Sequence, residues 1–202
     1  MNKIQLLKSL KEEGFSKDIV NAFSKVKRED FVPENMKSRA YEDNALPIGN
    51  GQTISQPYTI ATMLSLLGLK KEQKVLEIGS GCGYVLALIS EIVGSKEKVY
   101  GMEIIKSLAD KSRNNLQDYD NIEVYYRNGS NGLSDKAPFD RIIISAALEE
   151  IPEKIVEQLK EKGLIVAPIG SRYEQTLTSF QKVNNKFEVR EEISGFVFVP
   201  FV

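Results

Sequence analysis

Apolar positions recur in two rhythms along the chain, and the change falls near residue 74. Before it the spacing is helical. Ile4, Leu6, Leu7 and Leu10 gather near one face, with Gly14 as a stop. Ser16 is placed to cap a second helix whose stripe is Ile19, Val20, Phe23 and Val26. Residues 27–56 lose periodicity and carry Pro33, Pro47, Gly49 and Gly51, so they read as an ordered loop or a series of turns. A loop of that length in a small domain is often functional. Pro57 suits the first turn of a third helix containing Ile60, Met63, Leu64 and Leu67.

From Lys74 onward short apolar runs alternate with amphipathic stretches. Val75-Leu76-Glu77-Ile78, Val99 to Glu103, Ile122 to Tyr126, Phe139 to Ile144 and Leu164 to Ala167 read as strands. Tyr84 to Val93, about Ile105 to Leu116, and the residues after Pro152 read as helices. This alternation implies a mostly parallel sheet covered on both faces. Gln175 to Lys182 and Phe187 to Val199, around a turn at Asn184-Asn185, read as an antiparallel pair at the sheet edge. The predicted architecture is one doubly wound α/β domain over residues 1–202, with about seven strands. Residues 1–70 form a helical and loop addition to it.

Composition narrows the chemistry. The 202 residues carry a net charge of −1, which offers no basic field for nucleic acid or an anionic membrane. No run approaches the ~20 apolar residues of a membrane span, and the start lacks the apolar core of a signal peptide. The single cysteine, Cys82, cannot form an internal disulfide, which fits a reducing, cytoplasmic setting. Histidine is absent, so Ser-His-Asp and Cys-His catalysis and His-ligated zinc are excluded. The chemistry must rest on carboxylates, hydroxyls, backbone groups or a cofactor.

The strongest chemical signal is Glu77-Ile78-Gly79-Ser80-Gly81-Cys82-Gly83-Tyr84, between a predicted strand and a predicted helix. Glycines there let the backbone turn sharply and approach a ligand. The plain alternative is a strand-to-helix turn. Glu103 ends the next strand, where an acid can accept hydrogen bonds from both ribose hydroxyls of a nucleoside; a solvated strand end is the competing reading. The dinucleotide pattern G-x-G-x-x-G fails, because Tyr84 occupies its third glycine position. The observed E-x-G-x-G-x-G resembles the first motif of class I methyltransferases that use S-adenosylmethionine. That likeness places Glu77 near the cationic methionine end of the cofactor.

A second motif is more specific. Gly51-Gln52-Thr53-Ile54-Ser55-Gln56-Pro57-Tyr58, followed by Ala61 and Met63, resembles the signature of the protein-L-isoaspartate O-methyltransferase family. Ala137 to Ile142, Ala146-Ala147 before Ile151-Pro152, Glu157 to Lys160, Pro168-Ile169-Gly170 and Val197-Phe198-Val199-Pro200 are similar too, and in order. The resemblance implies methyl transfer from S-adenosylmethionine to the free carboxylate of L-isoaspartyl residues in proteins and peptides. The resulting ester collapses to a succinimide, whose hydrolysis returns some normal aspartate. It implies that Glu77, Gly79, Ser80, Gly81, Gly83, Glu103, Asn128 and Gly129 hold the cofactor. Ser55 becomes the candidate that orients the acceptor carboxylate, with helix capping ahead of Pro57 as its bland role. Thr53, Ile54 and Gln56 shape the same wall, and Val197 and Val199 help place the substrate backbone through main-chain hydrogen bonds. The N-terminal addition covers the active site, and no metal is needed.

One stretch departs from the family pattern. Arg127-Asn128-Gly129 stands where Gly-Asp-Gly is usual, and the family's aspartate helps hold the adenine amino group. Asn128 can still accept a hydrogen bond through its oxygen but lacks the charge. Arg127 must point away or crowd the cofactor. Two other readings stay open: a methyltransferase for another carboxylate or small molecule, and a non-catalytic protein that binds the cofactor.

Overall fold

A computed structural model describes residues 1–184 and 186–201. Asn185, half of the expected Asn184-Asn185 turn, lies outside the described residues. The first helix, α1 (Lys3–Glu12), starts with a reciprocal cap: Asn2 and Gln5 each accept the other's backbone N–H through a side-chain oxygen. α2 (Lys17–Lys25) is capped by Ser16, whose Oγ accepts from the Ile19 N–H at 3.4 Å, and it buries Ile19, Ala22 and Phe23. Burying side chains the size of Ile19 and Phe23 stabilises the fold by ~1.5–3 kcal/mol each.

Residues 27–56 hold more order than their lack of period suggests. Two 3-10 turns, Arg28–Phe31 and Glu34–Arg39, lead into β1 (Leu46–Gly49) and β2 (Gln52–Ile54). These strands pair antiparallel across Asn50-Gly51, both at positive φ (54° and 72°). A two-residue turn of that kind favours Asn-Gly, because both central residues must be left-handed. α3 (Pro57–Leu67) follows, with proline in its first turn and Gly68 closing it at φ 57°.

The main sheet contains β3 (Val75–Ile78), β4 (Val99–Glu103), β5 (Ile122–Tyr126), β6 (Phe139–Ile144), β7 (Leu159–Gly170), β8 (Gln175–Val183) and β9 (Lys186–Phe196). Its order is β5-β4-β3-β6-β7-β8-β9. The first five are parallel; β8 and β9 run antiparallel to their neighbours. α4 (Tyr84–Val93), α5 (Lys106–Asn115) and the short α6 (Glu153–Glu157) connect the parallel strands. The last expected strand stops at Phe196, and residues 197–201 leave the sheet as a strap.

Alternate strand residues enter two cores. Val75, Val99, Ile143 and Val166 join the N-terminal helices, α3 and α4 on one face. Leu76, Met102, Ile142, Ile144 and Ile165 join Ile155 of α6 on the other. Glu77 stands in register with Gly101 and Ile143 on the first face, a carboxylate among apolar neighbours. The chain leaves β3 for β4 and β5 on one side and returns to β6 on the other. Ligands bind beyond the strand ends at such a reversal.

Candidate active site

The turn after β3 is stitched to the end of β4. The Gly79 and Ser80 N–H groups both donate to the Met102 carbonyl, at 2.8 and 3.0 Å. The Glu103 carboxylate accepts from the Gly81 N–H at 2.8 Å and from the Ile105 N–H at 2.9 Å. A carboxylate has about four acceptor sites, so two remain for a ligand. Gly79 and Gly81 hold φ of 82° and 52°, where a side chain is strained.

Above this floor lies an open cleft. Ile48 and Thr53 of the β1–β2 hairpin form one wall, and Ser145 and Ala146 after β6 form another. Val199, Pro200 and Phe201 of the strap cover it, and Arg127 and Gly129 close one end. Two smaller recesses adjoin it, both bordered like the cleft by Thr53 and Ser145. One reaches Glu77, Ser80, Cys82 and Tyr84. The other lies between Gln56, Thr59 and the strap residues Val197 to Val199. Ser55 borders both recesses.

Glu77 is 1% exposed. Ser145 Oγ donates to its Oε1 at 2.8 Å, and its Oε2 has no partner among the described residues. Burial pushes its carboxyl up to about 8; the Ser145 hydrogen bond offsets part of this, and the nearby Glu103 charge adds to it. Cys82 is buried and its thiol is raised to about 11, mainly by burial, which makes it a poor nucleophile.

The other candidates are distributed unevenly. Ser55 caps nothing: Gln56 holds the cap position without a side-chain bond, and Asp43 Oδ1 accepts from the Tyr58 N–H at 2.8 Å instead. The Ser55 hydroxyl makes no hydrogen bond among the described residues. Ile54 is buried in the core shared with the N-terminal helices and also borders the recess that reaches Glu77. Gly83 lies away from the cleft. A Cβ there would sit 2.5 Å from Ser112 Oγ and 2.7 Å from Leu116 Cδ1, so this glycine lets α5 approach the start of α4. Gly129 is equally constrained, its missing Cβ lying 2.2 Å from Ile78 Cγ2.

Asn128 is exposed, and its Oδ1 accepts from the Ser130 N–H at 2.8 Å, within its own turn. Arg127 does not crowd the cleft with its charge; the guanidinium reaches Asp135 at 3.0 Å and lies 5.3 Å from the centre of the Tyr125 ring. Val197 is 74% exposed, which removes an ordinary core role. The Val199 carbonyl accepts from the Ala147 N–H at 2.8 Å, which leaves its second lone pair for a peptide donor. Ser145 and the strap's Pro200 and Phe201 were missing from the sequence-based site. Ser145 carried a usable signal, since it follows the apolar run Ile142–Ile144 at a strand end.

These features fit S-adenosylmethionine. A buried, unpartnered carboxylate oxygen on Glu77 suits a cationic amino acid end, and Glu103 retains acceptors for a ribose. Gly79 and Gly81 present no side chains to the cleft, so a ligand can approach the backbone there. An open, mostly parallel sheet with this loop and these two acids defines a class I S-adenosylmethionine-dependent methyltransferase.

The model for protein-L-isoaspartate(D-aspartate) O-methyltransferase matches residues 1–202, and the chain belongs to that family. The protein-L-isoaspartate O-methyltransferase of Methanothrix thermoacetophila is 44% identical, covering 100% of this chain and 95% of its own length. That of Dictyoglomus thermophilum is 43% identical, over 97% of this chain and 89% of its own. A solved protein-L-isoaspartate O-methyltransferase superposes with a TM-score of 0.90 at 30% identity over 98% of this chain, which spans 65% of that longer chain. A Plasmodium falciparum structure described under the same activity, in complex with S-adenosyl-L-homocysteine, gives 0.84 at 25% identity, covering 100% of this chain and 99% of its own.

Proposed function

We propose that the cleft transfers a methyl group from S-adenosylmethionine to the free carboxylate of L-isoaspartyl residues in damaged proteins and peptides, the first step of their repair. The observation that carries this reading is a family match along the whole chain, on a cleft where Ser55 stands free at the junction of the two recesses.

When bound, S-adenosylmethionine supplies a methyl group made electrophilic by its sulfonium. The residues then have three tasks. Glu103, Gly79, Gly81 and Gly129 hold the nucleoside, while Glu77 and Ser80 face the amino acid end. Ser55 donates its hydroxyl to the acceptor carboxylate and aims one oxygen. Thr53, Ile54, Gln56, Val197 and the Val199 side chain exclude water around it. A carboxylate is already ionised near neutral pH, so no general base is required, which suits a chain without histidine. Charge is neutralised as the groups meet, and a dry site favours that.

Asn128 and Arg127 give little support to a non-catalytic reading, because one is tied to its own turn and the other to Asp135. Residues 1–70 act as part of the single domain and cover the acceptor side through the β1–β2 hairpin. Among the described residues no helix is long and apolar enough to cross a membrane. We place the enzyme in the cytoplasm, where its single buried cysteine needs no partner.

The test is methyl transfer from labelled S-adenosylmethionine to two peptides differing only in isoaspartyl or normal aspartyl linkage. Transfer to the isoaspartyl peptide alone is expected. Transfer to small carboxylic acids instead would reassign the substrate.

A further inference from the structure

The strap, residues 197–201, forms a wall of both the acceptor recess and the cofactor cleft, and two sets of contacts fix its height. At its far end it pairs with the loop after β6: the Ala147 N–H donates to the Val199 carbonyl and the Phe201 N–H to the Ala147 carbonyl, both at 2.8 Å. At its near end the anchor is a side chain. The Phe198 N–H donates to Gln175 Oε1 at 2.7 Å, the one side-chain hydrogen bond to the strap among the described residues. Gln175 begins β8 and is 1% exposed. Its Nε2 donates to the Ser171 carbonyl in the turn between β7 and β8. Both ends of the carboxamide are therefore engaged, and it joins that turn, the sheet edge and the strap. Gln175 borders neither the cleft nor its recesses.

We propose that Gln175 is a positioning residue that sets the width of the acceptor recess by holding Phe198, and so controls how tightly the isoaspartyl peptide is held without touching it. This rests on the acceptor reading given above. The division of labour follows from the two anchors. Of these two spaces, Val197 and Phe198 border the acceptor recess alone and depend on Gln175; Pro200 and Phe201 border the cofactor cleft alone and depend on Ala147, and Val199 borders both. Removing the glutamine leaves the Phe198 N–H and the Ser171 carbonyl without their partner, so the near end of the strap lifts while the far end stays.

The experiment compares the full chain with Gln175→Leu and Gln175→Glu. In Gln175→Leu the KM for an isoaspartyl peptide should rise about tenfold, while the KM for S-adenosylmethionine changes less than about threefold. Amide exchange at Phe198 should accelerate. Gln175→Glu keeps an acceptor for Phe198 and, when protonated, a donor for Ser171. Its peptide KM should therefore lie near the parent's at low pH and rise with pH, a profile absent from the parent. An unchanged peptide KM in Gln175→Leu, or equal rises in both KM values with a lower melting temperature, overturns the proposal. If the parent itself fails to methylate the peptide, the acceptor reading is what has failed. Phe198 exchange then decides separately whether Gln175 anchors the strap, and unchanged exchange removes the anchor as well.

Discussion

The floor of the cofactor half is made by the ends of neighbouring strands, whereas the acceptor half is built wholly from segments that meet across the fold. Around Glu77 and Glu103, parallel pairing of β3 with β4 fixes the backbone, and the N–H groups of residues 79–81 reach the Met102 carbonyl and the Glu103 carboxylate. Around Ser55, a three-residue strand, a helix start and the strap meet through few hydrogen bonds. A half tied into the sheet core is preorganised, and local openings should concentrate in the other. Substitutions should separate the two accordingly.

The largest effect is expected from Glu103→Ala. It removes the ribose acceptor and leaves the Gly81 and Ile105 N–H groups unpaired, so the dissociation constant for S-adenosylmethionine should rise about a hundredfold or more in calorimetric titration. A change under about threefold would mean that the cofactor half is not built around this carboxylate. Gly83→Ala tests the same half through packing alone. With φ at 89° and Ser112 Oγ 2.5 Å from the new Cβ, it should lower stability by about 3 kcal/mol in chemical denaturation. Cofactor affinity of the remaining folded protein should be nearly unchanged.

On the acceptor side, Ser55→Ala should lower kcat/KM for the isoaspartyl peptide by about tenfold to a hundredfold and leave cofactor binding intact. Loss of cofactor binding instead would erase the distinction between the halves.

Glu77 gives a pH signature. Its carboxyl is raised from 4.5 to about 8, so the folded protein holds a proton there that the unfolded chain has released. Its contribution to stability is therefore lost as pH rises from the ordinary carboxylate range toward 8. A cationic ligand favours the ionised form, so S-adenosylmethionine should bind more tightly as pH rises, by up to about tenfold per pH unit below 8, with proton release. Glu77→Gln should flatten both trends, read by thermal melting and by calorimetry in two buffers. The smallest effect belongs to Asn128→Asp: a new charge at an exposed turn should tighten cofactor binding by about twofold to fivefold at low salt and less at high salt.

Elements with a strong local period were legible from the chain alone. The strands β3 to β6, the helix after Gly83 and the Ser16 cap needed only apolar spacing and capping chemistry, because the forces that set them act within one or two turns. The glycine loop and Glu103 were legible for the same reason, since a strand end fixes where they lie. The hairpin over Asn50-Gly51 carried a readable turn signal between Ile48 and Ile54, but its strands are too short to show alternation. Family likeness supplied Ser55, whose local chemistry suggests only a cap.

What the sequence determined, then, was the alternating α/β order and the acids and glycines at the strand ends, because side-chain period and backbone conformation are local properties. Tertiary structure decided the rest. It brought Ser145 onto Glu77, gave the helix cap to Asp43 rather than Ser55, withdrew Gly83 into helix packing and laid the strap across the cleft on Gln175. Those choices depend on which distant groups must be satisfied when a carboxylate, an amide or a backbone N–H is taken out of water, and only the assembled fold sets that.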